Sequence, residues 1–167
     1  ANDNTALGYG ALTSNTTGTA NTAVGGESVL GSNSTGSNNT SVGYQSLTSN
    51  TTASNNTAIG YNALVLNTTG TRNVSVGAYA LDANTTADGN TAIGYEALTD
   101  NTTGANNVAV GDRALDDNTT GENNTAVGQH ALGAVSTASY NVAVGQGALY
   151  NNTASNNTAV GLSLIHI

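Results

Sequence analysis

The chain has no Cys, Pro, Met, Trp or Phe, and its only cations are Arg72 and Arg113. Each absence removes a class of protein. Without Cys there are no disulfides and no thiolate metal sites. Two cations give no basic footprint for phosphate, which excludes nucleic-acid binding by counterion release and docking on an anionic membrane surface. No apolar run is long enough to cross a bilayer, so no membrane insertion is expected, and Ala1-Asn2-Asp3-Asn4 does not read as a signal peptide. Large aliphatics are scarce too: Leu, Ile and Val number 30 of 167 residues, against 53 Asn and Thr, and the aromatic content is seven Tyr. That composition points toward disorder. A charged fraction of only 7% points the other way, so the spacing of the few aliphatics has to decide.

What is present is a tandem repeat. The pattern Asn-Thr-Ala-Val-Gly-Tyr-x-Ala-Leu-x-x-Asn-Thr-Thr-Gly-x-x starts at Asn4, Asn21, Asn39, Asn56, Asn73, Asn90, Asn107, Asn124, Asn141 and Asn157, mostly at 17-residue intervals. One extra residue is expected near Leu30 to Ser32 and one missing near Asn151 to Asn156. Counting from the leading Asn, position 4 is aliphatic in every unit, from Leu7 and Val24 to Val160, and position 9 carries Leu12, Val29, Leu47 and their successors to Leu149. β-Branched residues at alternate places predict a strand around positions 2 to 6, and a second one is expected around Ala-Leu. Asn, Gly, Thr and Ser between them supply turns. A helix is disfavoured because nothing recurs every three to four residues and each unit carries Gly and several β-branched residues.

The expected fold class is all-β: a parallel β-solenoid, or β-roll, of about nine to ten coils with a 17-residue repeat, spanning residues 1–161. One unit cannot stand alone. Ordering its residues costs about 1–2 kcal/mol each, whereas burying one Val and one Leu returns roughly 1.5–3 kcal/mol apiece. Stability must come from stacking coil on coil, with like side chains in ladders. Positions 3, 5 and 8 are small in nearly every unit, as in Ala92, Gly94 and Ala97. The strand is therefore expected to be buried on both faces, by lateral association with other copies, or by small residues filling a very thin coil. The raw ends of such a rod suggest a piece of a longer fibre.

The run Asn-Thr-Ala-Val-Gly, followed by Ala-Leu or Ser-Leu and closed by Asn-Thr-Thr-Gly, resembles the head repeats of trimeric autotransporter adhesins. It also resembles repeats in bacteriophage tail fibres and large bacterial surface proteins. The resemblance covers Asn4 to Gly161 and implies a left-handed parallel β-roll, three chains side by side, forming the head or shaft of an extracellular, cell-surface or virion fibre. The adhesin heads mostly use a shorter unit than this one. Residues 162–167, Leu-Ser-Leu-Ile-His-Ile, leave the repeat and resemble a translated sequencing-library adapter, with an apolar cap as the alternative.

Candidate sites follow from the columns. No catalytic, cofactor-binding or metal site is expected: His130 is alone in its unit, and Ser and Thr have no recurring His partner. Asp100 and Asp117 share a place in successive units, which leaves two readings, a hard cation bridging them or a solvated acidic stripe. The sequons at Asn15, Asn33, Asn50, Asn67, Asn84, Asn101 and Asn118 form one column of glycan acceptors, or else are turn residues. Tyr9, Tyr44, Tyr61 and Tyr95 share position 6, and their column is the candidate receptor-facing surface. The expected role is a non-enzymatic structural or adhesive fibre segment, a homotrimer meeting a host-cell, matrix or glycan receptor. A glycan-coated structural fibril and an ice-binding solenoid, the latter suggested by Thr at position 2, are the alternatives.

Overall fold

The computed structural model describes residues 2–163. Leu164 to Ile167, most of the non-repeat tail, lie outside the described residues. Ten three-residue strands follow one another: β1 (Thr5–Leu7), β2 (Thr22–Val24), β3 (Thr40–Val42), β4 (Thr57–Ile59), β5 (Val74–Val76), β6 (Thr91–Ile93), β7 (Val108–Val110), β8 (Thr125–Val127), β9 (Val142–Val144) and β10 (Thr158–Val160). They form one parallel sheet in chain order, β1 through β10, each pairing with the next coil in register. Thr57 faces Val74, Ala58 faces Ser75 and Ile59 faces Val76. The molecule is thus a parallel β-solenoid with one strand per coil. At roughly 4.8 Å between paired strands, nine intervals make a rod about 43 Å long.

The coil is thin, and small residues and amides fill its interior. Ala at positions 3 and 8 and Leu at position 9 are fully buried, as in Ala58, Ala63 and Leu64. So are the two asparagines of the unit, at positions 1 and 12, for example Asn56 and Asn67. Position 4 points the other way: Ile59 and Ile93 are about two-fifths exposed, at 39% and 40%. Period-two alternation sends positions 2 and 4 to one face and position 3 to the other, and a cavity this narrow accepts the Ala. The alternative of small residues filling a very thin coil therefore holds, and in a single chain the aliphatic face of the sheet is open.

The expected second strand around Ala-Leu is absent among the described residues. Instead the position 9 leucines adopt a left-handed backbone, with φ of 51° at Leu47, 54° at Leu64 and 56° at Leu98. Bulky residues rarely visit this region. Bonds on both sides hold it: Leu64 N donates to Ala80 O of the next coil at 3.1 Å, and Asn67 N closes a turn on Leu64 O at 3.3 Å. The extra residue of the second unit also lies earlier than expected. Leu12 N bonds Val29 O and Leu30 N bonds Ser46 O, so Val29 takes position 8 and Leu30, not Val29, takes position 9. The insertion falls in the turn before Ser28. The deletion lies where expected: Asn152 Nδ2 reaches Ala154 O, two residues on, where the other units use the third. At the far end, Ser163 N bonds Gln146 O, as Gly147 N bonds Gln129 O one coil earlier, so the coil path continues two residues past Gly161.

Candidate functional site

Three surfaces and one interior hold the residues singled out above. The first surface is the outer face of the sheet, carrying position 2 (Thr or Val) and position 4 (Val, Ile or Leu) of every coil. Between Thr22 and Val127 these side chains are half-buried or just exposed, and β1 is exposed throughout. None of the ten strands carries a charged or amide side chain on this face.

The second is a tyrosine ridge on the turn after the strand. Tyr44 and Tyr61 stack with ring centroids 5.2 Å apart and planes within 6°. Tyr79 meets Tyr61 at 5.3 Å and 65°, and Tyr95 at 6.3 Å and 90°. Charged groups close both ends. Tyr44 OH donates to Glu27 Oε2, and this bond raises the phenol pKa, with burial adding to it. Arg113 lies 5.8 Å over the Tyr95 ring and its Nε donates to Glu96 Oε2 at 2.7 Å. The Tyr95 phenol then holds the Glu96 carboxyl below its ordinary value, with Arg113 helping and desolvation opposing. Of the four predicted tyrosines, Tyr44, Tyr61 and Tyr95 belong to this ridge. Tyr9 stands apart, 84% exposed, because Gly26 occupies position 6 of the coil between. Tyr79 belongs to the ridge although its position 7 hid it from a column-by-column reading. The signal was an aromatic one residue off the column in the coil where the column lacks one.

The interior is built on amides. From Asn33 to Asn118 each position 12 asparagine donates to the carbonyl three residues on and to the amide oxygen one coil earlier: Asn67 Nδ2 reaches Gly70 O at 3.0 Å and Asn50 Oδ1 at 3.2 Å. Position 1 forms a parallel ladder, with Asn73 N donating to Asn56 Oδ1 at 2.9 Å and Asn56 Nδ2 to the same Gly70 O at 2.9 Å. These position 12 residues are the sequon asparagines. Asn33, Asn50, Asn67, Asn84, Asn101 and Asn118 are 0% exposed, and Asn15 at the first coil bonds Gly18 O. A sugar on Nδ2 would replace an internal hydrogen bond and require space the coil lacks, so the folded chain supports the turn-residue alternative for this column. The hydroxyl residues that directly follow these asparagines make a further ladder, Thr68 Oγ1 bonding Thr85 O at 3.0 Å.

The third surface is a hollow of about 400 Å³ near the last coils, lined by His130, Gln146, Gly147, Tyr150, Leu162 and Ser163. His130 Nδ1 and, nearby, Asp116 Oδ1 are buried without partners. Desolvation, with Asp117 adding to it, pushes the Asp116 carboxyl up to about 6, against the lowering influence of backbone hydrogen bonding, His130 and Arg113. Among the described residues no group of three His, Cys, Asp or Glu is placed to hold a metal ion. Asp100 and Asp117 do occupy the same place in successive coils, as Asp100 N bonding Asp116 O indicates. In the comparisons with family models, curated proteins and solved structures, the chain matches none.

Proposed function

We propose that this chain is a non-enzymatic segment of an extracellular fibre, in which the solenoid serves as a rigid spacer and the sheet's outer face packs on further copies of itself, three chains side by side. The observation that carries the reading is that face. Ten coils present an unbroken array of β-branched and aliphatic side chains, only part-covered in one chain. An uncharged area of aliphatic and methyl groups of that size, interrupted only by the threonine hydroxyls of position 2, ordinarily marks an interaction surface. Every acidic and basic residue lies at positions 6, 7, 10, 11, 16 or 17, on the turns. Like charges of a chain with net charge -8 are thereby kept off the packing face. The tyrosine ridge lies on the flank that such packing leaves open, and it is the part offered to a receptor.

The test is the mass in solution, by sedimentation equilibrium or light scattering. Three chain masses are expected, with Ile93→Asp reducing the assembly to one chain. A wild-type monomer at micromolar concentration would sink the reading. One observation favours a second one: the position 2 threonines, Thr22, Thr40, Thr57, Thr91 and Thr125, stand on the outward face of an in-register sheet. Regular hydroxyl and methyl arrays can order water, and an ice-binding solenoid would keep this face uncovered. A monomer that produces thermal hysteresis would replace the fibre reading with this one.

A further inference from the structure

Oxidation chemistry in this chain converges on tyrosine. Cys, Met and Trp are absent, so no more easily oxidised side chain competes with the seven tyrosines. Tyr44 and Tyr61 are 39% and 45% exposed, open to a diffusing oxidant. They come from consecutive coils, and the in-register pairing of β3 with β4 holds them together. Their rings lie nearly parallel, stacked with centroids 5.2 Å apart. The Tyr44 hydroxyl already donates to the Glu27 carboxylate, which places a proton acceptor on the group that must lose its proton. The other close pairs differ. Tyr61 and Tyr79 meet at 65°, and Tyr79 and Tyr95 at 90° with 6.3 Å between centroids. In those pairs the rings meet edge-on rather than stacked.

We propose that Tyr44 and Tyr61 are a site of oxidative cross-linking, joined as dityrosine by a one-electron oxidant such as a peroxidase with hydrogen peroxide. Each phenol loses one electron and its hydroxyl proton, Tyr44 passing that proton to Glu27. The two phenoxyl radicals couple through the carbons ortho to their oxygens. The two hydrogens on the joined carbons then move to the oxygens as the rings regain aromaticity. In total the pair loses two electrons and two protons, and one hydrogen peroxide takes them up to give two waters. The product is a covalent staple between the third and fourth coils, a tie along the rod axis in a chain that has no disulfide to supply one.

The two arginines make the test direct. Dilute protein is treated with peroxidase and hydrogen peroxide, denatured, and cut by trypsin after Arg72 and Arg113. Tyr44 and Tyr61 then lie together in residues 1–72, while Tyr79 and Tyr95 lie in residues 73–113. The expected product is peptide 1–72 lighter by two hydrogen atoms, carrying dityrosine fluorescence and joined to no other peptide. Tyr44→Phe and Tyr61→Phe, which keep a ring in the stack, should each abolish it, and Tyr95→Phe should leave it unchanged. Joining of 1–72 to 73–113, dityrosine formed only between molecules, persistence of the product in Tyr44→Phe, or no product from the wild type would each overturn the proposal. Glu27 is tested separately by a pH profile. Glu27→Gln should couple poorly at neutral pH and recover as the phenols ionise toward about pH 10. A variant equally poor at every pH would remove Glu27 from the proton path.

Discussion

At the scale of single residues, the repeat is most informative where one unit departs from the others. Asp116 sits at position 10 of its coil, and the next coil has Gly133 there. A Cβ at Gly133 would lie 2.7 Å from the Tyr150 ring and 3.1 Å from Asp116 Oδ1, so the tyrosine leans into the gap and strips water from the carboxyl. With the folded value raised to about 6 from 3.8, the native state holds this proton more tightly than the unfolded chain. The stability it contributes is present at low pH, falls as pH rises through that interval, and is gone above it. Asp82, also raised chiefly by desolvation, acts in the same direction, while Glu96 is held low and stays charged over this range. The thermal midpoint is therefore expected to rise on going from pH 7 to pH 5, and Asp116→Asn should raise it at pH 7 and flatten that rise. An Asp116→Asn midpoint equal to wild type at pH 7 would contradict the assignment. Val135 is the other departure. It takes position 12, where an asparagine would donate to Asn118 Oδ1, and that oxygen is buried without a partner. Val135→Asn restores the donor and adds one to Ala138 O, gains of about 1 kcal/mol each against a lost apolar contact of roughly 1.5 kcal/mol. Chemical denaturation should find Val135→Asn close to wild type and Val135→Ala the less stable of the two. The reverse order would show that an amide at this coil does not join the ladder.

At the scale of the coil, the corner after each strand decides whether units can stack. Gly60 has φ of 143°, and a Cβ there would stand 2.4 Å from Gly77 O and 2.6 Å from Gly77 C. The obstacle is backbone, which cannot swing aside, and the Gly77 N to Ile59 O bond of 2.8 Å spans the same corner. Gly60→Ala should cost more than about 3 kcal/mol in a denaturation experiment. Gly26→Ala, whose added carbon meets only Tyr44 Cδ2 at 3.9 Å, should be tolerated; equal losses for the two would refute the steric account. This corner also shows what the sequence made legible. The period, the place of the strand and the in-register stacking all follow from residues that recur every coil, because identical units must stack identically. Side-chain direction did not follow. Hydrophobicity marked Ile59 and its column for burial without deciding which face is the inside; the space inside is set by the backbone path, and it fits Ala58, Leu64 and the amides of Asn56 and Asn67. The uniform smallness of positions 3 and 8 and the near-constant Asn at positions 1 and 12 were the usable signal. The left-handed Leu64 was not legible, since nothing local favours it and bonds from the neighbouring coils hold it there.

At the scale of the whole molecule, stability is a nearest-neighbour sum. Each strand packs only on the strand before and the strand after, as in other solenoids, so the end coils have one neighbour each. All three residues of β1 are exposed, whereas Ala92 in the middle of β6 is fully buried. Amide hydrogen exchange should accordingly be slowest from β4 to β7 and fastest in β1 and β10. Equal protection along the chain would mean that the ends are covered. The outer face adds a second dimension to this sum. If three copies share it, unfolding is coupled to dissociation, and mass action makes the thermal midpoint depend on concentration. Tenfold dilution should lower the midpoint measurably. Added salt should raise it by screening the carboxylates on the turns, because the face itself carries no charge to be weakened. In Ile93→Asp the midpoint should lose its concentration dependence, since a carboxylate in an apolar interface has no partner there. A wild-type midpoint that ignores both dilution and salt would leave the rod a single chain, with its β-branched face turned to water.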